Sequence, residues 1–180
     1  MSGKLSGYVL KPGELGEQEK KDMFCILTEC DQDFYPPLSA RSSTKQLSWV
    51  STSEVHDGVT AYYQVLLGQH NLFWKIQDEI AGFMSFIPHY TCQHLAAYDD
   101  VCYLTTLCLS HKFRGMGVSP RIYAATFEYV RENYPEAVIA FRTWSTNAAQ
   151  MHLVKKLGLT EILRLPDDRG PGVDTIYYVL

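Results

Sequence analysis

The spacing of apolar and polar positions changes along the chain, and each change marks an element. Tyr8 to Leu10 is a short extended run, ended by Pro12 and Gly13. From Glu17 to Cys30 the residues Met23, Phe24, Leu27 and Cys30 recur at helical spacing, which predicts a helix with one apolar face. Asp33 to Leu38 contains two prolines and is read as a loop, because proline forbids helix and pushes its predecessor to extended backbone. Phe34 and Tyr35 are then loop aromatics. Ser43 with Gln46, and Ser51 with Glu54, match the capping box that opens helices. The second leads into the stripe Val55, Val59, Tyr62, Tyr63 and Leu66, which stops at Gly68.

The middle of the chain reads as strands. Leu72 to Gln77 and Ile80 to Ile87 flank a turn at Asp78 and Glu79, with Pro88 stopping the second run. Val101 to Leu109 is a third strand, with Tyr103, Thr105, Leu107 and Leu109 on one face. Ile122, Ala125, Thr126, Tyr129 and Val130 mark a helix to about Asn133, and Pro120 is tolerated in its first turn. Ala137 to Trp144 is a buried strand, and Ser145 to Leu157 a helix that Gly158 closes in a left-handed cap. Leu159 to Leu165 and Val173 to Leu180 end the chain as two strands. The order predicts one α/β (α+β) domain over 1–180, with helices in 1–70 and a sheet with helices in 71–180.

Composition narrows the function classes. The 180 residues are 46% hydrophobic, 20% charged and 13% aromatic, as in a globular protein. A net charge of −4 speaks against a nucleic-acid partner held by phosphate neutralisation. No apolar run reaches the ~18 residues of a membrane span, and the first residues lack the core of a secretory signal. Five cysteines, Cys25, Cys30, Cys92, Cys102 and Cys108, form no C-x-x-C pair and read as buried, reduced thiols of a cytoplasmic protein. His89 and His94 have no third ligand spaced with them, so no metal is expected.

The most informative stretch is Cys108 to Ile122, C-L-S-H-K-F-R-G-M-G-V-S-P-R-I, where a strand gives way to a helix through a basic, glycine-bearing loop. Glycine permits a tight turn and lets a ligand approach the amides. Amides opening a helix, beside the cation of Arg114, form a socket for a diphosphate.

Arg114-Gly115-Met116-Gly117-Val118-Ser119 resembles the R/Q-x-x-G-x-G/A signature of the GNAT-type N-acetyltransferase superfamily, with serine at the last small position. Asn147, opening a helix that ends in Leu157-Gly158-Leu159, resembles the family's second motif. The likeness covers about Leu72 to Leu180. It implies a mixed, mostly antiparallel central sheet flanked by helices, its strands splayed at a cofactor cleft, and acetyl-CoA as the donor. Amides of Arg114, Gly115, Met116, Gly117, Val118 and Ser119 would hold the coenzyme A diphosphate. Main-chain groups of Leu107, Cys108 and Leu109 would pair with the pantetheine arm, which Asn147 would contact from the other side.

The acceptor implied is a small-molecule primary amine. Alternatives keep the fold but transfer a longer acyl group, use a hydroxyl acceptor, or bind coenzyme A without catalysis. The usual tyrosine that protonates the leaving thiolate falls seven residues after Asn147, at Val154 here. The general base is undefined. Asp99 and Tyr103, at the place where some members carry a strand glutamate but poorly suited to take a proton at neutral pH, are the candidates, with Asp100, His89 and His94 nearby in sequence, while Tyr177 could stand in for the missing acid. Phe34, Tyr35 and Arg41 are expected to line the acceptor side, with Arg41 reading a carboxylate. Apolar residues of the last strand could pair two copies as a homodimer.

Overall fold

The computed structural model describes residues 5–41 and 58–180. Both capping boxes, Trp49 and Val55 lie outside the described residues. The strands are β1 (Leu5–Leu10), β2 (His70–Ile76), β3 (Glu79–Ile87), β4 (Val101–Leu109), β5 (Val138–Trp144), β6 (Thr160–Leu165) and β7 (Thr175–Val179). The helices among these residues are α1 (Glu17–Glu29), α2 (Thr60–Leu67), α3 (Val118–Asn133) and α4 (Ala148–Lys156). The seven strands form one sheet in the order β1-β2-β3-β4-β5-β7-β6. β1 runs antiparallel to β2, and β7 antiparallel to β5 and β6, while β4 and β5 are parallel. The mixed, mostly antiparallel α/β architecture agrees with the sequence reading.

The chain divides into two compact units. The first is Met1–Ser85 with Thr106–Ala125. Its core gathers Met23, Ile26 and Leu27 of α1, Tyr62 and Leu66 of α2, Phe73 of β2 and Phe83 of β3. Burying each such aliphatic side chain contributes about 1.5–3 kcal/mol. The α1 stripe differs from the expected one by a single position: Ile26 is buried, whereas Phe24 is 37% exposed and meets the Tyr63 ring edge-on. The β2–β3 connection is a two-residue turn in which Gln77 (φ 52°) and Asp78 (φ 65°) are both left-handed. Such a turn matches the right-handed twist of paired strands. Across β1 and β2, Gly7 faces Trp74, and a Cβ at Gly7 would stand 2.8 Å from the indole.

The second unit is Phe86–Thr105 with Thr126–Leu180. Tyr90, Leu95, Val101, Tyr103, Ala140 and Tyr177 form its apolar cluster on one sheet face. The segment between β3 and β4 supplies Tyr90 and Leu95, and the amide of Tyr90 is tied to the carbonyl of Val101 at 2.8 Å. β4 pairs with β5 from Val101↔Val138 to Leu104↔Phe141, and its last five residues extend past that ladder. Gly158 (φ 75°) ends α4 as expected. The described cysteines carry free thiols; Cys30, Cys102 and Cys108 are buried, but Cys25 is exposed, against the sequence expectation. Among the described residues no helix is long and apolar enough to cross a membrane.

Candidate active site

The junction singled out by the sequence begins where β4 ends. The amide of Ser110 donates to the Ala81 carbonyl at 2.9 Å, fixing the strand end against β3. A single 3-10 turn over His111–Phe113 follows, then Arg114 and the glycine loop, and α3 begins at Val118. Gly115 (φ 74°) and Gly117 (φ 69°) are both left-handed. Residues with a Cβ rarely take that conformation. A Cβ added at either glycine meets nothing within 4 Å, so the loop is an open cradle at a helix N-terminus. The first-turn amides of α3 lack helical partners and carry the positive end of its dipole. The cradle suits a diphosphate.

The loop's cations are tied to acids of the same unit. Arg114 Nη2 donates to Asp33 Oδ2 at 2.5 Å, to the Leu109 carbonyl at 3.3 Å and to Cys30 Sγ at 3.4 Å. His111 Nε2 lies 3.0 Å from the same Asp33 oxygen, and the His111 amide donates to Glu29 Oε1 at 2.7 Å. Lys112 pairs with Glu79. Arg114 thus braces the glycine loop against the turn that follows α1. Its hydrogen bond holds the Asp33 carboxyl below the usual range, against a smaller opposing effect of burial, with His111 assisting. Cys30, Asp33 and His111 have a donor set that could hold a metal ion. The Arg114 guanidinium already contacts two of those three donors.

Asp33 escaped the sequence reading because 81 residues separate it from Arg114. The Cys108 thiol, whose hydrogen bond lowers the Cys30 pKa, has its own pushed well up by burial. Cys108 and Leu109 are buried at the end of β4, and Leu107 half-buried.

On the proposed acceptor side, Arg41 Nε and Nη2 donate to the Pro36 carbonyl at 3.1 and 2.9 Å. Its guanidinium stands 5.2 Å from the Phe34 ring centre and 5.8 Å from that of Tyr62. Phe34 packs against the core of the unit, whereas Tyr35 is 41% exposed. The Tyr62 hydroxyl shares a 2.6 Å hydrogen bond with Thr106 Oγ1 of β4.

In the second unit Asn147 caps α4, its Oδ1 accepting from the Gln150 amide at 3.1 Å. Val154 is 1% exposed and packs into the interior. Tyr103 stacks on Tyr90 with ring centres 4.4 Å apart. Arg142 Nη1 donates to the Tyr177 hydroxyl at 3.2 Å, and His94 lies against the Tyr177 ring at 5.3 Å. Burial pushes the Tyr103 phenol well above its ordinary pKa and raises that of Tyr177, despite the opposing charge of Arg142. Both phenols keep their protons at neutral pH, which makes them hydrogen-bond donors and not bases. Asp99 is exposed, and His89 meets Asp100 at 3.0 Å. Arg142 was missed by the sequence reading, although a lone charge inside the apolar run Ala137 to Trp144 was the available signal.

The family model described as "Acetyltransferase (GNAT) family" matches residues 27–159, more than half of the chain. No curated protein matches it. Solved structures share its fold. A GNAT-family protein from Desulfovibrio desulfuricans is 13% identical with a TM-score of 0.68, covering 98% of each chain. The yncA protein of Salmonella typhimurium, solved with its cofactor acetyl-CoA, is 16% identical with a TM-score of 0.62, over 98% of this chain and 93% of that one. A ribosomal-protein-alanine N-acetyltransferase from Brucella melitensis is 15% identical with a TM-score of 0.62, over 96% and 98%. The glycine cradle opening α3, the Asn147-capped helix ending at Gly158 and the family match agree: this chain belongs to the Acetyltransferase (GNAT) family.

Proposed function

We propose that the protein transfers an acetyl group from acetyl-CoA to the primary amine of a small molecule by direct attack on the thioester. The observation that carries this reading is the left-handed pair Gly115 and Gly117, open to a ligand at the start of α3. Acetyl-CoA, when bound, supplies the activated acetyl group. The amides from Arg114 to Ser119 would hold its diphosphate, with Arg114 and Asp33 keeping the loop in place. The main chain at Leu107, Cys108 and Leu109 would add the pantetheine arm as a strand partner, and Asn147 would approach it from its own helix. The bound acetyl-CoA of yncA supports the same donor.

Transfer forms an N–C bond and breaks a C–S bond; the amine loses a proton and the thiolate gains one. Holding the two reactants in line can supply about 7–11 kcal/mol in favourable cases. Asp99, exposed in the bend that precedes β4, could take the amine proton through water. Val154 offers no proton, so the thiolate takes one from solvent. A thiolate whose conjugate acid has a pKa of about 8.5 is a tolerable leaving group. Phe34, Tyr35 and Arg41 would bound the acceptor with aromatic surface.

Incubation with acetyl-CoA and a library of small amines, read by mass spectrometry and by release of free thiol, tests the reading. Acetylated amine with an equal yield of thiol is expected. Retained coenzyme A binding without any product would overturn it in favour of a coenzyme-A-binding regulator.

A further inference from the structure

A charged side chain in the middle of a sheet needs a reason, and Arg142 occupies such a place. Its neighbours in β5 are Phe141 and Thr143, both buried, and it lies directly opposite Tyr177 of β7. Opposite residues of an antiparallel pair project from the same face. Two residues earlier Ala140 pairs with Tyr103 of β4, which brings Tyr103 to that face as well. Arg142 is also the first residue of β5 beyond the last β4–β5 pair, Leu104↔Phe141. It therefore marks the point where the parallel ladder ends. Around it stand three phenols: Tyr177, which accepts its hydrogen bond at 3.2 Å and turns its ring towards the guanidinium at 6.0 Å, and the stacked Tyr103 and Tyr90 within its electrostatic reach.

We propose that the acceptor is an amine that also bears a carboxylate, and that Arg142, with the phenols of Tyr177 and Tyr103, receives that carboxylate. The chemistry is that of a planar fork meeting a planar anion: a guanidinium offers parallel N–H donors to two carboxylate oxygens, and protonated phenols add O–H donors. The stacked pair Tyr90 and Tyr103 gives the same face an aromatic floor. Arg41, the cation expected from sequence to read a carboxylate, donates to the Pro36 carbonyl and stands over Phe34 and Tyr62. The inference rests on the acetyltransferase reading above and names the class of acceptor for it: amino-acid-like amines.

The test compares amino acids with their methyl esters as acceptors for the wild-type protein, Arg142→Gln, Arg142→Lys and Arg41→Gln. In parallel, calorimetry measures the binding of N-acetyl amino acids and N-acetyl amino amides in the presence of coenzyme A. For the wild type, kcat/KM at least tenfold higher for the free acid than for its ester is expected. That preference collapses in Arg142→Gln, is partly kept in Arg142→Lys, and survives in Arg41→Gln. Each variant is expected to melt cooperatively and to keep its rise in Tm with acetyl-CoA, which a variant that merely unfolded could not show. Equal turnover of acids and esters by the wild type would overturn the inference and leave the acetyltransferase reading standing. Loss of the preference in Arg41→Gln in place of Arg142→Gln would overturn it too. Carboxylate-dependent binding that needs Arg142, with no turnover of any amine, would uphold the anion site and overturn the transferase reading.

Discussion

Arg114 shows how far a single position can be read from sequence. Its place before Gly115 and Gly117 identifies the cradle, but the partner that uses its charge is Asp33, on a turn after α1. Both side chains are about two-fifths exposed, 40% and 39%, so solvent screens the pair and it is worth at most about 1 kcal/mol. Its larger effect is on the loop. Asp33→Asn is expected to raise KM for acetyl-CoA several-fold with kcat little changed, because the cradle loses its brace while the reacting groups are untouched. The pH dependence follows from the direction of the Asp33 shift. A carboxyl held lower in the folded protein than its unfolded value of about 3.9 stabilises fully above that value, and the contribution is lost as pH falls through the folded pKa. The stability difference between wild type and Asp33→Asn should therefore be flat from neutral pH to about pH 5 and shrink below pH 4. Denaturant midpoints measured down the acid range check this; a difference that shrank around pH 6–7 would place the titrating group elsewhere. Gly115, Gly117 and Asn147 were legible because backbone conformation and capping are local demands. Asp33 and Arg142 were not, since their roles depend on which distant residues the fold brings beside them.

Elements were legible to the extent that their periodicity is local. β4 has the bounds its apolar run predicted, but the expected face is not the more buried one: Thr105 and Leu107 are only half-buried, whereas Thr106 and Cys108 of the opposite face are buried. Apolar spacing does not say which face of a strand meets the closer neighbour, because burial answers to what packs on each face. In the first unit one such close approach is at Gly82 of β3. A Cβ there would stand 2.5 Å from the Cys108 carbonyl oxygen and 3.2 Å from Leu109 Cα. Those atoms are backbone and cannot rotate away, so the strands must part. Gly82→Ala is expected to cost about 1–3 kcal/mol, the range of overpacked sites, and to weaken acetyl-CoA binding if β4 pairs with the pantetheine arm as proposed. Gly68, which caps α2, is the control. Its φ is −83° and an added Cβ finds ordinary contact at 3.5 Å from the Val65 carbonyl. Gly68→Ala should be neutral or stabilise by up to about 1 kcal/mol through the unfolded chain. Urea midpoints of the two variants are expected to move in opposite directions, and a shared sign would refute the packing argument.

At the scale of the molecule, β3, β4 and α3 each begin in one compact unit and end in the other. The segment that holds the proposed diphosphate, Arg114 to Ser119, lies wholly in the first unit, and Asn147 wholly in the second. The mixed, mostly antiparallel sheet was implied by family resemblance alone, and no apolar pattern could have placed β7 between β5 and β6. If acetyl-CoA binds only the folded chain, linkage makes the donor a stabiliser of the whole protein. Ligand at one hundred times its Kd contributes about 2.7 kcal/mol. For a chain of this length each kcal/mol moves Tm by about 2–4 °C, so acetyl-CoA should raise Tm by roughly 5–10 °C. Gly117→Glu separates this effect from stability itself. The new side chain enters open space, since nothing lies within 4 Å of a Cβ there, and costs only the strain of a left-handed residue, about 1–2 kcal/mol. It also sets a carboxylate at the proposed diphosphate site. The variant should melt cooperatively a few degrees below wild type and show no response to acetyl-CoA. An undiminished ligand shift in Gly117→Glu would mean that the donor is held somewhere other than the start of α3.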